Sequence, residues 1–231
     1  MIKRYAECLL QSALFRQIKE EELEKLLSCL AFKMVTYEAE EYLFHAGDEV
    51  GHIGIVLEGC IEIIKENIAG ERHIIAFLEA SHMFGESIVC TSKRIAPVST
   101  KAREKTTVIL IPYKYVIENC SNGCSFHTQL IHNMLRVLGD KNEMLNIKME
   151  LLLLKGMREK LATYLLKEAQ RSGKLAFNIT PNREALAEFL NVSRPSMCRE
   201  LARMKEDNLI DFYKNSFKLL DIEALKKCLN H

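Results

Sequence analysis

The sequence predicts an α+β chain in three parts: a β-sandwich or barrel, a long helix, and a C-terminal winged helix-turn-helix. Three observations carry this. Between Phe32 and Pro112, short β-rich runs alternate with turn residues. From Cys124 onward, apolar residues recur at alternating spacings of four and three. Between Asn182 and Ile210, two helical patterns meet at a sharp turn and lead into a hairpin.

Residues 1–30 read as helical. Glu20-Glu21-Glu22 opens an amphipathic segment whose Leu23, Leu26, Leu27 and Leu30 share one face, with the acidic start at the positive end of the helix dipole. The strand runs are Phe32 to Tyr37, Tyr42 to His45, Ile53 to Leu57, Ile61 to Glu66, His73 to Leu78 and Thr106 to Ile111. Gly47-Asp48, Glu58-Gly59 and Asn67 to Gly70 supply turns between them. Helical periodicity returns after Pro112, with a short segment from Tyr113 to Cys120 ending at Asn122-Gly123.

In the long helix, Ile131, Leu135, Leu138, Asn142, Leu145, Met149 and Leu152 form a heptad seam. So narrow an apolar stripe, with polar Asn142 at a register-setting position, predicts a parallel coiled coil between two copies of the chain. Lys155-Gly156 marks a hinge, because glycine weakens a helix. Arg158 to Gln170 follows as a helix with Leu161, Tyr164, Leu165 and Ala169 inward, closed by Arg171-Ser172-Gly173. These boundaries divide the chain into an N-terminal β-rich domain, 1–123, a dimerisation helix, 124–155, and a C-terminal domain, 156–231.

Asn182 caps the first helix of the helix-turn-helix, which carries Leu186, Ala187, Phe189 and Leu190. Asn191 takes the sharp turn, Val192 plugs it, and Ser193 caps the second helix, with Pro195 in its first turn. Met197, Leu201 and Met204 bury one face; Arg194, Cys198, Arg199 and Arg203 occupy the other. An arginine edge suits the major groove, since a guanidinium donates two hydrogen bonds to guanine O6 and N7. Arg199 and Arg194 are the candidate base readers, and Ser193, Ser196 and Lys214 the candidate phosphate contacts. Residues 209–213 and 217–220, joined by Lys214-Asn215-Ser216, form the wing, and a last helix runs from an Asp221 cap through Leu225.

Bulk properties agree with this layout. A chain of 231 residues that is 48% hydrophobic can bury two modest cores. Residues 155–231 hold 15 Lys+Arg against 10 Asp+Glu, and residues 1–154 hold 17 against 21, which fits a nucleic-acid-binding part on a separate sensor body. The longest relevant apolar piece, Leu151 to Leu154, is too short for a membrane span, and no signal-peptide core follows Met1 to Tyr5, so a soluble cytoplasmic protein is expected. The eight cysteines form no paired framework; Cys120 and Cys124 are the one close pair, and all are read as incidental thiols.

The run Asn182-Arg183-Glu184-Ala185-Leu186-Ala187-Glu188-Phe189-Leu190-Asn191-Val192-Ser193-Arg194, with Cys198-Arg199-Glu200-Leu201 and Asn208-Leu209-Ile210, resembles the cyclic-AMP receptor protein/Fnr family of bacterial transcription regulators. The glycines of His45-Ala46-Gly47, Val56-Leu57-Glu58-Gly59 and Phe84-Gly85-Glu86 match its cyclic-nucleotide-binding jelly roll. The resemblance implies a homodimer on palindromic double-stranded DNA, responding to a small-molecule effector and working with RNA polymerase. Some Fnr-type members hold an iron–sulfur cluster on clustered N-terminal cysteines; here only Cys8 lies in the first 28 residues, which counts against a cluster.

The resemblance also places an effector site at Gly85, Glu86, Arg94, Ile95 and Asn146. Glu86 matches the glutamate that takes the ribose hydroxyl, and Arg94 the arginine that holds the cyclic phosphate. Ile95 stands where the family has a hydroxyl residue, Pro97 stiffens the strand, and Asn146 lies near the level where the family reads the adenine amine. Cyclic nucleotide is thus one candidate effector. Glu86 and Arg94 can instead form an internal ion pair in a barrel that senses another small acidic or apolar metabolite. A haem, metal or redox sensor of the same fold, and a cupin-type barrel enzyme, are further alternatives. The seven histidines include no His-x-His pair, so the sequence supplies no clustered ligand set and no catalytic residues.

Overall fold

The computed structural model describes residues 2–67, 69–118 and 125–229. Cys120, Cys124 and the turn signal at 122–123 lie outside the described residues. The chain forms two compact units, Met1–Asp140 and Lys141–His231.

The first unit opens with single turns of 3-10 helix at Ile2–Tyr5 and Ala13–Phe15, on either side of α1 (Ala6–Gln11). In α2 (Glu20–Cys29), Leu23, Leu26 and Leu27 are buried, as is Leu30 just beyond it; the Lys19 amide donates to Glu22 Oε2 at 3.0 Å and closes the N-terminus. The strands follow: β1 (Lys33–Tyr37), β2 (Tyr42–Phe44), β3 (His52–Glu58), β4 (Ile61–Glu66), β5 (Arg72–Leu78), β6 (Met83–Phe84), β7 (Ser99–Ala102) and β8 (Thr106–Pro112). The short helices α3 (Glu86–Val89) and α4 (Tyr113–Ile117) flank the last two.

The strands make two antiparallel sheets, ordered β1-β8-β3-β6 and β2-β7-β4-β5, that face each other as a jelly roll. Val56, Ile61, Phe84 and Val108 fill the space between them. The other face of β3 and β8 is not solvated. Ile53, Ile55, Ile109 and Ile111 pack there against Leu9, Leu14, Leu26 and Leu130. Burial on both faces explains why Ile53 to Leu57 is continuously apolar rather than alternating. At the β3–β4 corner Gly59 has φ +90°, and a Cβ there would lie 2.5 Å from Thr106 Oγ1 and 2.7 Å from the Lys105 carbonyl oxygen. Gly85 is equally constrained, with φ +79° and the His52 carbonyl oxygen 2.9 Å from where a Cβ would stand.

Helix α5 (Ser125–Leu153) contributes to each unit in turn. In the first, Leu130 and Met134 join the core, and Asn133 Nδ2 donates to the Leu14 and Arg16 carbonyls at 2.8 and 2.7 Å. In the second, Leu151 is fully buried.

The second unit continues with α6 (Met157–Ser172), β9 (Ala176–Asn178), α7 (Arg183–Phe189), α8 (Arg194–Glu206), β10 (Ile210–Tyr213), β11 (Ser216–Leu219) and α9 (Ile222–Lys227). Gly173 ends α6 in the left-handed conformation, and Asp221 Oδ1 caps α9 by accepting from the Ala224 amide at 2.9 Å. The wing hairpin pairs Phe212 with Phe217 and turns at Lys214-Asn215. A third strand, β9, pairs Phe177 with Phe217 and stacks the two rings. Periodicity did not reveal β6, β9 or β7, which have two, three and four residues, too few to show a period.

Candidate nucleic-acid interface and effector pocket

The turn between α7 and α8 is built by its own side chains. Asn182 Oδ1 accepts from the Glu184 and Ala185 amides at 3.0 and 2.9 Å, starting α7. Asn191 takes φ +53° in the turn, and Ser193 Oγ accepts from the Ser196 amide to start α8. Met197, Leu201 and Met204 are buried against α6 and α7, so the opposite face of α8 is forced outward. Lys160, buried on α6, donates from Nζ to the Leu190 carbonyl at 3.1 Å. A cation at this spot satisfies the end of α7 and meets the negative end of its dipole.

Arg194, Cys198, Arg199 and Arg203 are all exposed on α8. They are not equivalent. Arg199 Nη2 donates to Ser196 Oγ at 3.0 Å, and Ser196 Oγ lies 2.8 Å from Ser193 Oγ. Arg203 leans on Glu200 at 3.5 Å, and Glu200 also takes Arg158 Nε at 2.6 Å. Arg158 Nη1 reaches Asp207 at 2.7 Å, and its hydrogen bonds to Glu200 and then Asp207 raise its pKa. Arg194 has no hydrogen-bond or ion-pair partner among the described residues and is free to meet a ligand. Ser196 is half-buried and engaged by Arg199, which gives it a positioning role beyond the phosphate contact expected of it.

The wing is held by a residue that no sequence pattern singles out. Arg183 Nη2 donates to the Lys214 carbonyl at 2.8 Å, and its guanidinium lies 4.6 Å from the Phe217 ring centre and 5.1 Å from that of Phe212. Burial lowers the Arg183 pKa. This clamp fixes the turn at Lys214, which itself has φ +51° and an exposed ammonium beside the exposed Tyr213 ring. No local signal marks Arg183, because its aromatic partners are far along the chain.

In the barrel, Gly85 and Glu86 form the start of α3, and the Glu86 side chain is buried at 1% exposure. Arg94 is exposed, with backbone φ +54° and its guanidinium over the Tyr113 ring at 5.4 Å. Ile95 is 46% exposed and bridges Glu49 across a short antiparallel contact. Asn146 is an exposed residue of α5 in the second unit. Among the described residues, no three His, Cys, Asp or Glu side chains converge as a metal-binding group.

Comparison with known proteins agrees with this geometry. Residues 34–122 match the cyclic nucleotide-binding domain, and residues 159–228 match the Crp-like helix-turn-helix domain. The transcriptional activator protein anr of Pseudomonas aeruginosa is 27% identical over 78% of this chain and 74% of its own length. The global nitrogen regulator of Synechocystis is 22% identical, over 94% of each chain. The crystal structure of the Thermus thermophilus catabolite activator protein shares the fold, with a TM-score of 0.54, 21% identity, and 95% of this chain and 99% of that one covered. A sensing jelly roll on one chain with a winged helix-turn-helix defines a ligand-responsive, DNA-binding transcription regulator. This chain belongs to the Crp/Fnr family of such regulators.

Proposed function

We propose that the chain acts as a cytoplasmic homodimer that reads a palindromic DNA site with two copies of α8, one in each half-site, and that it regulates transcription with RNA polymerase rather than catalysing a reaction. Arg199 reads a base, most simply guanine, and Arg194 reads a neighbour or positions the helix; Ser193, Ser196 and Lys214 face phosphates. The observation that carries this is the Arg199–Ser196–Ser193 chain, which holds one guanidinium in place on the exposed face of a capped helix. The working parts are the sensing domain 1–123, the dimerisation helix 124–155 and the DNA-binding domain 156–231.

The seam on α5 supports the dimer. Ile131, Leu138, Leu145 and Leu152 fall at d, and Leu135, Asn142 and Met149 at a. Leucine-rich d positions with one asparagine at a favour two parallel strands. Leu135, Leu145, Met149 and Leu152 are 62%, 65%, 59% and 46% exposed in the single chain, an apolar load that a second helix would cover. No helix among the described residues is long and apolar enough to cross a membrane. Effector occupancy would shift the dimer between two arrangements of its recognition helices through the seam and Gly156. Selection from randomised duplexes tests the reading: recovery of a two-fold site with half-sites about 10–11 base pairs apart supports it, and recovery of no preferred sequence overturns it.

A further inference from the structure

We infer that Arg203 is a further contact to a DNA phosphate, and that Arg158 makes it available by holding Glu200 away from it. This rests on the DNA-reading role proposed for α8 and adds to it one binding residue and one positioning residue.

Arg203 lies four residues after Arg199, so the two side chains rise from the same outward face of α8, one turn apart. The Arg203 side chain is 67% exposed, and its ion pair with Glu200 is long, at 3.5 Å. So exposed a pair holds its guanidinium only loosely. Glu200 is committed elsewhere. Its side chain is 13% exposed, and its Oε1 accepts from Arg158 Nε at 2.6 Å. Arg158 Nη1 reaches Asp207 Oδ2 at 2.7 Å, so one guanidinium spans both carboxylates.

Arg158 is anchored independently of α8. It lies in the first turn of α6, which the Gly156 amide closes by donating to Glu159 Oε2 at 3.1 Å. A cation in that turn meets the positive end of the helix dipole, an unfavourable place that the two carboxylates offset. Glu200 belongs to the recognition helix and Asp207 is its C-cap, so both carboxylates would repel phosphate if left unpaired. Arg158 cancels their charge and keeps Glu200 on the α6 side. Without Arg158, Glu200 would turn to Arg203, the other cation it already pairs with, and draw that guanidinium off the DNA face.

The test measures binding of full-length protein to the selected two-fold duplex across potassium chloride concentration. The logarithm of affinity falls against the logarithm of salt with a slope of about 0.9 for each phosphate neutralised. Arg203→Ala should make the slope shallower by about 0.9 per half-site and weaken binding evenly across sequences, with base preference kept. Arg158→Gln should shallow it equally, although Arg158 lies on α6. Added to Arg203→Ala it should change the slope no further, and Glu200→Gln should restore the slope of Arg158→Gln. A merely structural role for Arg158 predicts neither the shared loss nor the recovery. Thermal melting accompanies each variant. Should Arg158→Gln fail to fold, Arg158→Lys takes its place; a lysine serves one carboxylate at a time, so it should shallow the slope less, again with recovery by Glu200→Gln. An unchanged slope in Arg203→Ala or in the folded Arg158 variant, additive losses in the double variant, or no recovery with Glu200→Gln would each overturn the inference. If the unaltered protein selects a two-fold site while these slopes fail, only the roles of Arg203 and Arg158 fall; if it selects none, the regulator reading falls.

Discussion

Arg199 Nη2 and Ser196 Oγ are 3.0 Å apart, and the same hydroxyl lies 2.8 Å from the helix-capping Ser193 Oγ. The guanidinium that the sequence points to as a base reader is thus held in place before DNA arrives. Preorganisation lowers the side-chain ordering cost on binding. It also separates two roles that look alike in the sequence. Arg199→Ala should cost about 1–3 kcal/mol on a specific site and relax preference at one position. Ser196→Ala should cost less, about 0.5–1.5 kcal/mol, and leave base preference in place. Binding profiles on randomised duplexes distinguish these outcomes, and an unchanged profile for Arg199→Ala would move the reading face elsewhere.

Introducing charge into the proposed α5 seam should dissociate the proposed dimer. Leu138→Glu combined with Leu145→Glu places carboxylates where a partner helix would exclude water, and a buried unpaired charge is not tolerated there. Sedimentation is expected to show monomers with weakened binding to two-fold DNA. A variant that remained dimeric would relocate the interface away from α5.

Thiol chemistry should follow burial. Desolvation raises the pKa of Cys8 and Cys60, so near pH 8 both hold less thiolate than an ordinary cysteine and should alkylate slowly, accelerating only as pH rises further. Cys90 and Cys198 are exposed and should label first. Peptide mapping after timed alkylation gives the order, and specific DNA should protect Cys198, which lies on the exposed face of α8, while leaving Cys90 reactive.

Lys160 should be a stability residue despite its charge. Lys160→Ala removes the donor to the Leu190 carbonyl and leaves that buried oxygen unsatisfied, at a cost of about 1–3 kcal/mol. Lys160→Met keeps the apolar stem and tests the hydrogen bond alone. Denaturant midpoints should fall for both, more for alanine. No change in either would show that water replaces the ammonium.

Arg183→Ala should loosen the wing. Losing the bond to the Lys214 carbonyl and the contacts with Phe212 and Phe217 frees the turn. DNA affinity should drop while base preference is retained, if the wing contacts phosphates as proposed for Lys214. Anisotropy titrations across salt concentration read this, and a change in base preference would give Arg183 a direct reading role.

The sequence alone determined the elements whose signals are local. Asn182, Asn191 and Ser193 announced two capped helices and the turn between them, because each acts on backbone groups within three residues. Gly47, Gly59 and Gly85 announced barrel corners, and all three take positive φ. The alternating four and three of α5 marked a long helix, because helical geometry turns that spacing directly into one face. What the tertiary structure decided depends on residues distant in the chain. It paired β7 with β2 and β4, buried β3 on both faces, and brought Arg183 onto the Phe212 and Phe217 rings. It also turned Arg94 onto Tyr113. A side chain's partners are set by which strands meet and in what register, and that is a property of the packed sheets rather than of any local run of residues.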